Sequence, residues 1–277
     1  MEGVDCVFHL AGVAHFWIPR KEEFSLINSR GTKTVLQAAT DRKVGRIVHC
    51  STEAILLPKQ TRPDDAIDED VLPPLSDMAG PYTRSKHEAE TAALDAAHAG
   101  QDVVIVSPTV PIGANDNNMT PPAAMLSLFL ANHSPFFLDC ELNVVDVRDV
   151  ATGMVLAAER GRSGERYVLG GENIRLRELL GLLEMVSGHR MPRLSLPASV
   201  ALMAATTAEW LADHVTGRRP PATREAVQVA CRSAPFDCRK AHQELGYAPV
   251  PVQGALLEEV QWLSEKMSHR ENMPVSD

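Results

Sequence analysis

The chain has 277 residues, 44% of them hydrophobic, and a formal net charge of −9. That length supports a sizeable core as one large or two small domains, and the acidic balance argues against a nucleic-acid or anionic-membrane surface. Five scattered cysteines without a Cys-x-x-Cys pair point to reduced thiols in a cytoplasmic protein, and ten dispersed histidines without a tight His/Cys/Asp cluster offer no metal centre.

In chain order, Cys6 to Leu10 is a short apolar run that reads as a buried strand ending in the turn Ala11-Gly12. Phe24 to Thr40 carries apolar residues at helical spacing, and Gly45 to Cys50 is a second apolar strand that ends at Ser51-Thr52. A polar loop follows, with the acidic stretch Asp64 to Asp70 read as a solvated surface. Tyr82 to Ala97 predicts a helix, Asp102 to Val106 a third strand, and Gly113 to Pro122 a mobile loop. Asp146 to Arg160 predicts a further helix and Arg166 to Leu169 a fourth strand. Beyond Arg175 helices dominate: Arg175–Ser187, Ala198–Thr216, Arg239–Glu244 and Val252–Lys266, with Gly188, Gly217 and Gly246 as stops. The most apolar of these, Ala198 to Val215, contains Glu209 and Asp213, so no transmembrane segment is expected. His9, His49 and Cys50 read as core residues of the strands, and Trp210 and Trp262 as helix packing.

Strand alternating with helix is the pattern of a parallel α/β sheet with buried strands. Tyr82 and Lys86 stand four residues apart in Pro81-Tyr-Thr-Arg-Ser-Lys86, on one face of a helix. A phenol has a pKa of about 10, and a cation beside it favours the phenolate. Ser51 and Thr52 offer hydroxyls at the carboxyl end of a strand, where such sheets bind ligands.

With these residues in this order the chain resembles the extended branch of the short-chain dehydrogenase/reductase superfamily. The resemblance rests on Asp5-Cys-Val-Phe-His-Leu-Ala-Gly12, Asn28-Ser-Arg-Gly-Thr32, His49-Cys-Ser-Thr52, Tyr82-x-x-x-Lys86, Ser107-Pro-Thr-Val-Pro-Ile-Gly113 and Val144-Val-Asp-Val-Arg-Asp149. It continues through Gly164 to Gly171 and Leu245-Gly-Tyr247. The chain looks most like hopanoid-associated sugar epimerases and dihydroflavonol-reductase-like enzymes, and is also similar to 3β-hydroxysteroid dehydrogenases.

The resemblance implies an incomplete Rossmann-type, doubly wound parallel sheet over residues 1–170 and a mainly helical substrate-binding region over residues 171–277. It makes Tyr82 the general acid/base, with Lys86 lowering its pKa and holding the nicotinamide ribose. Thr52, with Ser51 beside it, would orient the substrate oxygen. Ala11, Gly12, Asn28, Lys86, Pro108 and Thr109 would line NAD or NADP, and a homodimer is implied. The family also opens with a glycine-rich βαβ turn for the pyrophosphate. Such a turn and roughly 60 residues around it precede the motif that here begins at Asp5. The expectation is therefore a chain lacking its first three strands, with an exposed apolar edge at Cys6–Leu10 and weak cofactor binding on its own.

Two enzymatic readings stay open: net hydride transfer to or from a ketone or secondary alcohol, and epimerisation or dehydration of a nucleotide sugar with the cofactor regenerated. Glu141-Leu-Asn143 stands where sugar epimerases often carry an arginine for the diphosphate, which favours the first, although Arg218, Arg219 or Arg224 could supply the charge. A non-catalytic scaffold or redox-sensing relative is the third reading, and retention of Thr52, Tyr82 and Lys86 weighs against it.

Overall fold

The computed structural model describes residues 1–60 and 66–271, with side chains described to residue 268. The first strand, β1 (Cys6–His9), leads through a π-helical segment, Phe24–Arg30, into α1 (Gly31–Asp41). Next come β2 (Arg46–Cys50), α2 (Pro81–His98), β3 (Val103–Pro108), β4 (Val110–Ile112) and α3 (Pro121–Leu130). They are followed by β5 (Phe136–Phe137), β6 (Glu141–Asp146), α4 (Val147–Arg160), β7 (Arg166–Leu169), β8 (Glu172–Arg175) and α5 (Leu176–Ser187). The remainder is β9 (Leu194–Ser195), α6 (Ala198–Leu211), α7 (Arg224–Arg232) and α8 (Gln253–Glu271).

The main sheet is parallel throughout in the order β1-β2-β3-β7. Its strands read as continuous apolar runs because both faces are covered. On one face Ile47, Val103 and Ile105 pack against Leu36 and Ala39 of α1 and Ala93 of α2. On the other, Val48, Val104 and Val106 meet Val150, Met154 and Ala157 of α4, together with Ala241, Leu245 and Tyr247. Neighbouring strand residues thus point to opposite helical layers, which is the doubly wound α/β arrangement. A second small sheet, β4-β6-β8, spans residue 170 and lies under a core built from α3, α5 and α8. β1 is an edge strand, and Phe8 and Leu10 are 42% and 57% exposed.

Several expectations need correction. The segment Gly113 to Pro122 is not all loop: Pro121 and Pro122 open α3. The first helical positions need no N–H donor, so prolines that read as breakers start a helix here. The Thr120 N–H is held by Asp116 at 2.8 Å. Trp210 is 56% exposed and stacks on His214 rather than packing in the core. Of the acidic stretch, Asp64 and Asp65 lie outside the described residues, and Glu69 is buried, accepting the Val168 N–H of β7 at 2.6 Å. His9 is satisfied by Thr32 Oγ1 at 2.9 Å, whereas both ring nitrogens of His49 are buried without a partner among the described residues. Helix α7 and the strands β4, β6 and β8 escaped the sequence reading altogether.

Candidate active site

Three consecutive strands of the sheet end at one place. β1 delivers Ala11 and Gly12, β2 delivers Ser51 and Thr52, and β3 delivers Pro108 and Thr109. The Ser51 N–H still pairs with Val106 O at 2.7 Å, so the hydroxyls leave the sheet at a fixed height. Thr52 then caps a single 3₁₀ turn, Glu53–Ile55. Its Oγ1 accepts the Ala54 N–H at 3.3 Å and donates to Glu53 Oε2 at 3.0 Å.

Helix α2 brings Tyr82 to this strand end. Its ring packs with Ala54, two residues beyond Thr52, so the phenol comes into the reach of the Thr52 hydroxyl. The ring is 8% exposed and stands edge-on to Phe16 at 5.2 Å and Phe24 at 6.3 Å between centroids. Val13 and Ile18 pack into the same apolar cluster. Burial pushes the Tyr82 pKa up, the Thr52 hydrogen bond acts the other way, and Glu53, Cys50 and Glu225 raise it further.

Lys86 reaches the same strand end by another route. Its Nζ donates to the backbone oxygen of Cys50 at 2.7 Å. Burial lowers its pKa, with Cys50 and Glu90 opposing. The i, i+4 spacing therefore brings both side chains to the end of β2, with Tyr82 packed beside Ala54 and Lys86 bonded to the backbone of Cys50. An ammonium has three donors, so this leaves Lys86 with donors for a ligand.

Asn28 is buried and its polar atoms are spent within the protein. Its Oδ1 accepts the Val13 N–H at 2.7 Å, and its Nδ2 donates to Val13 O at 3.2 Å and Ser85 Oγ at 2.9 Å. It straps the turn after β1 to α2. A Cβ on Gly12 would lie 3.1 Å from Asn28 Oδ1, which gives that glycine a packing reason. Thr109 is buried, and its hydroxyl donates to Asn143 Oδ1 at 2.9 Å. Ala11 and Gly12 are exposed at the mouth. Ser51 Oγ is buried and without a partner among the described residues.

Two carboxylates belong to this neighbourhood and were not singled out from the sequence. Glu53 sits against Thr52, and burial pushes its pKa up to about 8. The signal was a lone acid followed by four apolar residues, Ala54-Ile-Leu-Leu57. Glu225 binds the start of α2 from 143 residues away, and no local pattern could have shown it. Among the described residues no group of three or more His, Cys, Asp or Glu could hold a metal, and no helix is long and apolar enough to cross a membrane.

The chain is 34% identical over 269 residues to a Synechocystis protein provisionally named dihydroflavonol 4-reductase, covering 95% of this chain and 77% of that one. It is 36% identical over 254 residues to a 4-hydroxy-2-methyl-3-oxo-4-farnesyl-3,4-dihydroquinoline-1-oxide ketoreductase of Stigmatella aurantiaca, covering 90% and 74%. The crystal structure of gox2253 superposes with a TM-score of 0.81 at 34% identity, covering 96% of this chain and 80% of that one. The NAD dependent epimerase/dehydratase family model matches residues 1–170. The chain therefore belongs to the NAD dependent epimerase/dehydratase family, within the extended short-chain dehydrogenases/reductases, and is by family a nicotinamide-dependent enzyme.

Proposed function

We propose that this protein is an NAD(P)-dependent dehydrogenase or reductase acting on a ketone or secondary alcohol, with Tyr82 as its acid/base. One observation carries the reading: Tyr82 is buried at the carboxyl end of β2, packed with Ala54 beside Thr52, under an apolar wall of Val13, Phe16 and Ile18. A carbonyl oxygen placed between the two hydroxyls would be held by Thr52, once its proton turns from Glu53, and protonated by Tyr82. The apolar wall suits an apolar substrate, and the relatives named above as a reductase and a ketoreductase act in the same sense.

The residues fit a nicotinamide cofactor. Gly12 and Ala11 give open approach, Ser51 Oγ is an orphaned buried polar atom, and Lys86 keeps donors for the ribose. Pro108 would add to the lining, with Thr109 behind it. Bound there, the cofactor supplies or accepts hydride. Lys86, at the same strand end, would supply positive charge that favours proton release from a phenol that burial has made a weak acid. In this reading residues 1–170 hold cofactor and catalytic groups, residues 171–277 form the substrate side, and the protein works as a cytoplasmic homodimer.

Net turnover tests it. With NADH or NADPH raised high enough to offset the weak cofactor binding expected of this chain, the wild type should change reduced-nicotinamide absorbance with one of a panel of apolar ketones. Tyr82→Phe should lose about 10²–10⁴-fold in rate. Equal rates in the two proteins would refute the assignment.

One observation favours the second reading, a nucleotide-sugar epimerase or dehydratase. The Arg219 side chain donates to Met119 O at 2.8 Å, and its charge bears on Asp116 and His15. In this reading it would be the cation that meets a diphosphate. Leu142, by contrast, packs against the core, and Asn143 is fully engaged. Product isomerisation without net absorbance change would select this reading.

A further inference from the structure

We infer that Glu225 is a positioning residue for Tyr82: its carboxylate caps the catalytic helix from the far half of the chain. An α-helix starts with N–H groups that have no partner inside the helix. In α2 the first helical residue is Pro81, which has no N–H, so Tyr82 and Thr83 carry the exposed donors. Both donate to one carboxylate: Tyr82 N–H to Glu225 Oε2 at 3.2 Å, Thr83 N–H to Glu225 Oε1 at 2.7 Å. The Thr83 hydroxyl donates to the same Oε1 at 2.8 Å. The cap residue is Gly80, which has no side chain to perform this role.

Gly80 is what lets the carboxylate approach. A Cβ there would lie 2.5 Å from both Cδ and Oε2 of Glu225. Gly80 has φ −170°, an extended value open to any residue, so close approach rather than backbone conformation calls for glycine. Glu225 itself is 3% exposed. It stands in the first turn of α7, so the positive ends of two helices face one carboxylate. Those hydrogen bonds offset part of the cost of burying it, although burial still raises its pKa.

The link extends outward. The Arg224 N–H donates to Glu209 Oε2 of α6 at 2.8 Å. Glu209 and Asp213 both pair with Lys21, and Asp213 accepts the Trp17 indole N–H at 2.7 Å. Trp17 lies in the same stretch as Phe16 and Ile18, which wall Tyr82. The placement of α6 and α7 is therefore felt at the Tyr82 backbone through Glu225 and at its ring through Phe16. The helical region sets the reacting tyrosine as well as the substrate side. A displacement of about 1 Å at a reacting group costs about 10²-fold in rate.

This inference rests on Tyr82 being the acid/base, and the test separates the two. Glu225→Gln keeps size but sets an NH₂ group against a backbone N–H; Glu225→Asp keeps the charge on a shorter arm. The first arm is NMR on protein labelled at its three tyrosines, Tyr82, Tyr167 and Tyr247, with Tyr82→Phe assigning the signal. In Glu225→Gln the Tyr82 ring signal should move while the other two stay. The second arm is turnover: kcat should fall about tenfold or more with the substrate KM within about twofold, and Glu225→Asp should recover part of it. A folded Glu225→Gln protein with an unmoved Tyr82 signal overturns the positioning role, whatever the activity. A moved signal in a protein whose Tyr82→Phe variant turns over normally upholds the positioning and refutes only the catalytic assignment of Tyr82.

Discussion

Glu259 should make the stability of this protein fall as pH rises through neutrality. Its side chain is 1% exposed on α8, and its Oε2 accepts the Gly113 N–H at 2.9 Å. Burial pushes its pKa up from 4.5 to about 7, with the Gly113 bond opposing and Asp116 adding to the rise. An acid whose folded pKa lies above its unfolded value binds protons more tightly when folded. Its contribution is whole below pH 4.5 and is lost as pH climbs through about 7. At about 1.36 kcal/mol per unit, the loss is about 1 kcal/mol at pH 5 and about 3 kcal/mol at pH 7, then flat. Buried histidines act in the opposite sense: the pKa values of His9, His15 and His49 are all lowered, so their contribution is lost on acidification. The wild-type curve alone sums these effects. Glu259→Gln keeps an acceptor for Gly113 but cannot ionise, so the difference between variant and wild type isolates one group. Urea denaturation from about pH 5 to pH 8 should show Glu259→Gln gaining about 2 kcal/mol on the wild type over that range. Parallel curves within about 0.5 kcal/mol would refute the reasoning, because they would mean Glu259 titrates in the folded protein as it does in water.

Other perturbations have equally defined outcomes. Glu53→Gln should flatten the high-pH limb of ketone reduction: above a pKa of about 8 the wild-type carboxylate places a negative charge beside Tyr82 and weakens it as an acid, and a pH–rate profile would show that limb only in the wild type. Gly153→Ala gains about 1 kcal/mol of helix propensity but sets a Cβ 2.8 Å and 2.9 Å from the Leu169 methyls and 3.1 Å from Tyr247. Overpacking of about 1–3 kcal/mol wins, so the melting temperature should drop. Asn143→Ala removes the acceptor of the Thr109 hydroxyl and the Gly171 N–H, both at the end of β3 and β7, and should cost about 2–3 kcal/mol in urea denaturation.

The local part of this protein could be read directly from its residues. Tyr82 and Lys86 share a helix face because four residues make about one turn, and Ser51-Thr52 stands at a strand end because the apolar run stops there. The alternation of strands and helices followed from the same periodicities, and with it the parallel α/β sheet, while its doubly wound form was what the family resemblance implied. What tertiary structure decided was every property that depends on desolvation or on partners distant in the chain. Lys86 takes the Cys50 carbonyl, Glu69 is buried although its sequence surroundings are polar, and Trp210 faces solvent although its spacing suits a core. Glu225 meets the start of α2 only after α7 folds back across the chain. Spacing along a helix or strand fixes directions within a few residues, whereas burial and long-range hydrogen bonds exist only once the layers have packed.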